Sequence, residues 1–241
     1  MLDFTDKHVI ITGAAQGIGL ALAKAFMAKG AKVAAMDVQK IPCDVDLPFL
    51  GDVGKQQDLE DFAKQCVKAF GRVDILINNA MISRGGLNAC GYDDFLQVLQ
   101  VGVAAPYYLT RLLLSHMSQG ASIINLSSTR AFMSQPQTES YTAAKGGITA
   151  LTHALAISLS GRARVNAIAP GWIDTTGSQQ SGADARQHPV GRVGKVEDIV
   201  NAVFFLCSKN AAFITGQMLV VDGGMSKQMI YHGDNNWELR I

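Results

Sequence analysis

Short apolar segments alternate with longer amphipathic segments along most of the chain. The short segments resemble strands buried in a sheet, and they cover residues 8–12, 32–36, 73–77, 122–126, 164–169 and 218–221. The longer segments repeat their apolar positions at helical spacing, and they cover residues 20–30, 56–70, 92–117, 143–159 and 195–208. This alternation predicts an α/β fold that contains βαβ units.

Three segments depart from the alternation. Residues 38–51 contain two prolines where a crossover helix is expected, so they predict an extended connection with at most one helical turn. Residues 51–53 then look like the end of a third strand. The long helix over 92–117 is interrupted by Gly102 and Pro106. Residues 173–189 are rich in Gly, Ser, Thr and Gln, which predicts a mobile flap.

Length and composition indicate one domain over residues 1–241, without an internal repeat or a linker. Residues 225–241 extend beyond the last predicted strand. This extension carries apolar and aromatic residues that are expected to pack on the same subunit or a neighbouring one: Met229, Ile230, Tyr231 and Trp237. With 48% hydrophobic residues, the chain can form a substantial core.

Charge and cysteine usage narrow the functional class. The formal net charge is +1 and the basic residues form no run, so neither nucleic acid nor a membrane is expected as a partner. Neither a signal peptide nor a membrane span is recognisable, which predicts a soluble cytoplasmic protein. The four cysteines lack a CxxC spacing and are expected to be free thiols, and the five histidines predict no metal site.

The central stretch over residues 125–145 carries the strongest candidate chemistry. Tyr141 and Lys145 are four residues apart, so a helix would place the phenol and the ammonium on one face. Ser128 follows a predicted strand whose end faces the start of that helix. A cation near Tyr141 would lower the pKa of the phenol, so that it could exchange a proton with a substrate oxygen that Ser128 also contacts. Alternatively, Tyr141 and Lys145 are an ordinary solvated pair.

A glycine-rich turn between the first strand and the first helix predicts a dinucleotide site. Gly13, Gly17 and Gly19 allow the backbone to approach a pyrophosphate, whose charge the helix amino terminus favours. Asp37 ends the second strand, where its carboxylate can bind ribose hydroxyls and repel a 2′-phosphate. Gln16 adds no positive charge to the turn, so NAD is expected rather than NADP. Asp37 could instead be only a turn former.

Together these motifs resemble the short-chain dehydrogenase/reductase family nearly from end to end. The matching residues are Thr12-Gly13-x3-Gly17-x-Gly19, Asp52-Val53, Asn78-Asn79-Ala80, Ser128 with Tyr141 and Lys145, Asn166, Pro170-Gly171 with Thr175, and Asp222-Gly223-Gly224. The resemblance implies a Rossmann-like, doubly wound, seven-stranded parallel sheet with helices on both faces. It also implies hydride transfer between a nicotinamide and a carbinol or carbonyl carbon.

The same resemblance assigns roles to individual residues. Tyr141 would be the general acid/base, Ser128 would orient the substrate oxygen, and Lys145 would lower the pKa of the tyrosine and bind the nicotinamide ribose. Asp52 and Val53 would contact adenine. The cofactor-binding set expected from the glycine turn and the resemblance is Gly13, Gln16, Gly17, Ile18, Gly19, Asp37, Asp52, Val53, Asn79, Ala80, Tyr141, Lys145, Pro170, Gly171, Ile173 and Thr175.

Two residues depart from the family pattern. Gly102 stands where the family has an asparagine that helps to hold a water linking the lysine to solvent, and here only the backbone carbonyl at a break in the helix could bind that water. Met81 stands where the family prefers glycine, and its thioether is expected to narrow the cleft near the ribose. Two hypotheses follow: a working dehydrogenase with a modified proton relay, or a cofactor-binding protein with little turnover that acts by interaction.

The substrate is predicted from residues in segments that border the active site in this family. Arg130 and Arg84 could form forks for a carboxylate or a phosphate, which favours a sugar, a sugar acid or a hydroxy acid; either arginine could instead have only a surface role. Gln135 and Trp172 could add contacts. The family resemblance also favours a homo-oligomer, either a tetramer or a dimer.

Overall fold

A computed structural model describes residues 3–178, 180–231 and 233–234, and it contains a seven-stranded, all-parallel sheet. The strands of that sheet, in order across it, are β3 (Leu47–Leu50), β2 (Lys32–Asp37), β1 (His8–Thr12), β4 (Val73–Asn78), β5 (Met117–Leu126), β6 (Ala163–Pro170) and β9 (Met218–Val221). The short strands β7 (Ile173–Asp174) and β8 (Gly194–Lys195) pair separately. The predicted doubly wound parallel sheet is confirmed.

Helices cover both faces of the sheet. They are α1 (Gly17–Met27), α2 (Gln56–Phe70), α3 (Tyr92–Leu99), α4 (Ala105–Leu113), α5 (Glu139–Ser158), α6 (Ala183–Arg186) and α7 (Val196–Cys207). Successive side chains of β1 point to opposite faces, so Val9 and Ile11 pack with α1 and α7, whereas Ile10 packs with α2, α4 and α5. This two-sided burial explains why the central strands read as continuous apolar runs.

The region between β2 and α2 is extended, as the two prolines predict. Strand β3 lies at the sheet edge, where Pro48 is tolerated because one side of the strand needs no hydrogen-bond donor. The prediction that residues 51–53 end this strand is wrong, since β3 ends at Leu50. Asp52 instead forms a turn into α2, with its Oδ1 accepting a hydrogen bond from the Gly54 amide at 2.8 Å.

The long helix predicted over 92–117 is divided into segments. A π-helical turn, Gln100–Ala104, joins α3 to α4, and a 3-10 turn, Leu114–His116, leads into β5 at Met117. Pro106 has no N–H to donate to the carbonyl of Gly102, which favours a wider turn at this point. The predicted interruption is therefore confirmed, while Met117 belongs to a strand.

Two further boundaries differ from the prediction. Helix α5 begins at Glu139 rather than at residue 143, so Tyr141 lies in its first turn. The flap predicted over 173–189 contains strand β7 and the single helical turn of α6. In the extension, Trp237 lies outside the described residues.

No helix within the described residues is long and apolar enough to cross a membrane. The four cysteines are unpaired, as expected.

Candidate active site

The end of β5 and the start of α5 bring Ser128, Tyr141 and Lys145 together. Lys145 is 4% exposed, and its Nζ lies 5.3 Å from the centroid of the Tyr141 ring and 2.6 Å from the carbonyl oxygen of Leu126. Ser128 is also buried, and its Oγ accepts a hydrogen bond from the Arg130 amide at 3.1 Å. Since Ser128 Oγ is the acceptor in that bond, its own proton remains able to reach a substrate oxygen.

Burial dominates the electrostatics of this group. It lowers the pKa of Lys145 to about 7, because the charged ammonium is disfavoured away from water. It also raises the pKa of Tyr141, while the neighbouring Ser128 hydroxyl and the positive charge of Arg130 act in the opposite direction. In the ligand-free structure burial outweighs any lowering of the pKa of the phenol, and the lysine nitrogen donates to a backbone carbonyl, so the role expected of Lys145 stays a prediction.

Buried side chains that the sequence analysis did not single out hold α5 against the sheet. Asn125 lies on β5, where it accepts a hydrogen bond from Asn78 Nδ2 at 2.8 Å and donates to Thr152 Oγ1 at 2.9 Å. Ser127 donates to the carbonyl of Lys145 at 3.1 Å. The signal that could have found Asn125 was its place on a buried strand next to the strand that carries Asn78.

The glycine turn is packed too tightly for side chains. A Cβ on Gly13 would lie 2.7 Å from Ala80 Cα, and one on Gly19 would lie 2.0 Å from the carbonyl oxygen of Gly13. Gln16 precedes α1 as its amino-terminal flanking residue, and Ile18 lies in the first turn. This close backbone packing and the unpaired first-turn amides expected at a helix start fit a pyrophosphate.

Asp37 lies beside the glycine turn, as predicted. One carboxylate oxygen accepts a hydrogen bond from the Ala15 amide at 2.9 Å, and the other accepts from the Gln39 amide at 2.9 Å. These contacts fix the carboxylate at the end of β2, and each oxygen keeps a lone pair for a ribose hydroxyl. Asp37 thus has a turn-forming role, and its geometry also suits a ribose.

Loops from three strands meet around the same turn. Asn79 donates from Nδ2 to the carbonyls of Thr12 at 3.1 Å and Gly13 at 2.8 Å. Thr12 Oγ1 accepts hydrogen bonds from the amides of Asn79 at 3.1 Å and Ala80 at 3.2 Å, a role that the sequence analysis did not assign. Val53 is buried after β3. The predicted residues Asn79 and Ala80 are therefore at the glycine turn.

The segment after β6 passes the other side of the turn. A Cβ on Gly17 would lie 3.3 Å from Thr175 Cγ2, so Thr175 is next to the glycine turn. Pro170 ends β6, and Gly171 is packed against Asp222. Ile173 lies in β7 opposite Gly194.

The two arginines predicted to contact substrate lie in different surroundings. Arg130 donates to Thr138 Oγ1 at 3.3 Å and to Gln135 Oε1, and its charge acts on Tyr141. Arg84 instead contacts α3, with hydrogen bonds to Gln97 Oε1 at 3.0 and 3.2 Å. The geometry thus favours Arg130 near the active site and a surface role for Arg84.

Trp172, the remaining predicted substrate residue, lies between β6 and β7. It is partly exposed, and its ring centroid is 6.4 Å from that of His188.

The chain is similar to one family model and to solved structures of a SCOR enzyme and a dehydrogenase. The family model described as enoyl-(acyl carrier protein) reductase matches residues 13–226. An apo SCOR enzyme from Clostridium thermocellum is 42% identical, with a TM-score of 0.89 over 98% of this chain and 99% of that one. Aldohexose dehydrogenase from Thermoplasma acidophilum is 30% identical, with a TM-score of 0.89 over 95% and 97%.

A further structural neighbour is similar over nearly its whole length. The 3-ketoacyl-(acyl-carrier-protein) reductase from Brucella melitensis, whose structure is complexed with NADH, is 34% identical. Its TM-score is 0.85 over 93% of this chain and 100% of that one.

Proposed function

Because the chain belongs to the short-chain dehydrogenase/reductase family, we propose that it interconverts a secondary alcohol and a ketone with a nicotinamide cofactor. The observation that carries this proposal is the meeting of Ser128, Tyr141 and Lys145 at the carboxyl ends of β4 and β5, the sheet edge where α/β folds bind ligands. The glycine turn lies at the carboxyl end of β1, the strand next to β4.

The chain's own residues would handle the proton and position the substrate. When bound, the nicotinamide ring supplies or accepts the hydride. Tyr141 would donate its phenolic proton to the substrate oxygen during ketone reduction and accept a proton from the alcohol during oxidation. The raised pKa keeps the phenol protonated at neutral pH in the free protein, which suits the reducing direction. Ser128 would donate a second hydrogen bond to the same oxygen.

Lys145 would have two roles in this scheme. Its Nζ would bind the ribose hydroxyls next to the nicotinamide, as the family resemblance implies. A pKa of about 7 also allows this nitrogen to gain or release a proton near neutral pH, so it would be able to exchange a proton with a ribose hydroxyl that it binds.

NAD is the proposed cofactor. The carboxylate of Asp37 lies at the glycine turn, where it would repel the 2′-phosphate of NADP and accept hydrogen bonds from the ribose of NAD. The NADH complex of the Brucella melitensis reductase supports this choice.

The proposed substrate is a small polar molecule such as a sugar, a sugar acid or a hydroxy acid. Arg130 and Gln135 lie in the segment between Ser128 and Tyr141 and could bind its carboxylate or hydroxyl groups. The aldohexose dehydrogenase from Thermoplasma acidophilum supports a sugar. The 3-ketoacyl-(acyl-carrier-protein) reductase from Brucella melitensis favours a β-keto thioester as the second candidate.

A cofactor-binding protein with little turnover is the alternative function. Gly102 favours it, because this buried residue offers no side chain to a proton relay. Under this alternative the protein binds NADH, but it neither forms nor consumes NADH with any substrate tested.

One screen separates these functions. NADH and NADPH affinities are measured first, and NADH formation or consumption is then followed with sugars, sugar acids, hydroxy acids and a β-keto thioester. We expect tighter NADH than NADPH binding and turnover of a polar substrate. Turnover of the thioester alone would replace the substrate proposal, and NADH binding without any turnover would support the alternative function.

The proposed assembly is a homo-oligomer, a tetramer or a dimer. Exposed apolar side chains on successive helices support it, since Tyr107 on α4 and Ile157 on α5 are 50% and 78% exposed. The cytoplasmic location expected from the sequence stays a prediction.

A further inference from the structure

The two residues that depart from the family pattern lie against one another. Met81 follows Asn79 and Ala80 after β4, and Gly102 is the middle residue of the π-helical turn. A Cβ built on Gly102 would lie 2.9 Å from Met81 Sδ. The thioether therefore occupies the space that a side chain at position 102 would need.

Helix α5 closes the same space from the other side. A Cβ on Gly102 would lie 2.8 Å from the Cβ of Ala144, a fully buried residue that immediately precedes Lys145 and lies three residues after Tyr141. We refer to this meeting of Met81, Gly102 and Ala144 as the 81–102–144 contact. It joins the cofactor-binding loop after β4, which consists of residues 79–81, to α5, the helix that carries Tyr141 and Lys145.

A second close approach shows that the π-helical turn rests directly on α5. A Cβ on Gly147 would lie 3.0 Å from Val103 Cγ2, so adjacent residues of the turn meet α5 at positions 144 and 147. At 3.0 Å the end of the valine side chain needs to give by only a few tenths of an ångström, whereas the contact at 2.8 Å is with the Cβ of Ala144, which is fixed to the backbone. Only the contact at Gly102 therefore forces the helix backbone itself to move when a side chain is added.

We propose that Met81 and Gly102 are positioning residues that set the distance of α5, and with it Tyr141 and Lys145, from the cofactor-binding loop. Gly102 sets the closest approach of the π-helical turn to Ala144. Met81 fills the space between that turn and the loop after β4, to which it belongs. The inference rests on the proposed function in that Lys145 is taken to bind the nicotinamide ribose. Gly102→Asn alone would meet the same obstruction, so restoring the family asparagine cannot by itself restore a relay.

The test compares binding at the two ends of the cofactor. Under the proposed function ADP would contact only the adenosine and diphosphate part of the site, at Asp37 and the glycine turn, whereas NADH would also contact Lys145. We expect Gly102→Ala to weaken NADH binding about tenfold, because the added Cβ displaces α5 and the loss of hydrogen bonds from Lys145 has effects of about this order. ADP affinity should stay within about twofold, since the glycine turn is not displaced. A role in stability alone would change both ligands together or neither.

Second-site variants complete the experiment. Ala144→Gly removes the fixed Cβ, and the flexible Met81 side chain can move away from the remaining contact, so the double variant Gly102→Ala/Ala144→Gly should regain most of the lost NADH affinity. If Gly102→Ala does not fold, Met81→Ala and Met81→Leu replace it: the alanine should weaken NADH binding without affecting ADP, and leucine should retain it.

Equal losses for NADH and ADP, or failure of Ala144→Gly to rescue, would overturn the proposal. Wild-type protein that binds neither NADH nor NADPH would instead refute the proposed function.

Discussion

Replacement of Lys145 by methionine should change how stability depends on pH. In the folded, ligand-free protein the pKa of Lys145 is about 7, because the side chain is 4% exposed. In the unfolded chain a lysine titrates near pH ~10.4. Between these values the unfolded chain binds a proton that the folded chain does not, so the free energy of unfolding rises with pH. Below pH 7 both states are charged and this dependence disappears.

The size of the effect follows from proton linkage. One proton bound differently by the two states changes the free energy of unfolding by about 1.4 kcal/mol per pH unit. From pH ~7.5 to ~9.5 the wild type should therefore gain about 2 to 3 kcal/mol relative to Lys145→Met, which has a similar shape and no charge. The raised pKa of Tyr141 affects stability only above pH ~10, outside this range.

Urea denaturation at several pH values measures the difference between the two proteins. Lys64→Met is the matched control, because Lys64 is exposed on α2 and its removal should leave the pH dependence unchanged. Parallel stability curves for wild type and Lys145→Met would show that the buried lysine keeps an ordinary pKa, and would refute the electrostatic account of the site.

Three further substitutions test other parts of the structure. Asn125→Ala should lower the free energy of unfolding by about 2 to 4 kcal/mol in urea denaturation, because it removes the acceptor for the buried Asn78 amide and the donor to the buried Thr152 hydroxyl, and a loss below about 0.5 kcal/mol would contradict this role. Asp37→Ser should improve NADPH relative to NADH binding by about tenfold, since it removes a charge that repels the 2′-phosphate; an unchanged ratio would leave Asp37 only its turn-forming role. Arg130→Ala should raise KM about tenfold for an anionic substrate and little for a neutral one in steady-state kinetics, and equal effects on both would remove the anion-binding role.

The fold was largely predictable because its signals are local. The bounds of α2 agree with its apolar spacing, and the central strands are apolar on both faces because helices cover both. The end of β3 was missed because it is not a sharp boundary. The Gly51 amide still donates to the carbonyl of Asp37 on the neighbouring strand, one residue beyond the last residue of β3. The early start of α5 at Glu139 was missed because residues 139–142 are mostly polar and do not extend the apolar spacing of the rest of the helix.

The sequence predicted which residues meet at the candidate site, but it did not predict which way their side chains point. The positions of Ser128, Tyr141 and Lys145 follow from a strand end and a helix start, whereas the direction of a long side chain depends on neighbours distant in sequence. Arg84 thus contacts Gln97, and Lys145 contacts the carbonyl of Leu126. The meeting of positions 81 and 102 likewise exists only in the folded chain.

The central claim is that Tyr141 transfers the proton that accompanies hydride transfer. Its most direct test is the rate of NADH turnover by Tyr141→Phe with a substrate that the wild type converts, together with NADH affinity. We expect turnover to fall by about 10² to 10⁴-fold while NADH affinity changes little. Tyr92→Phe, at an exposed position on α3, should behave as wild type. Retention of wild-type turnover by Tyr141→Phe would contradict the claim.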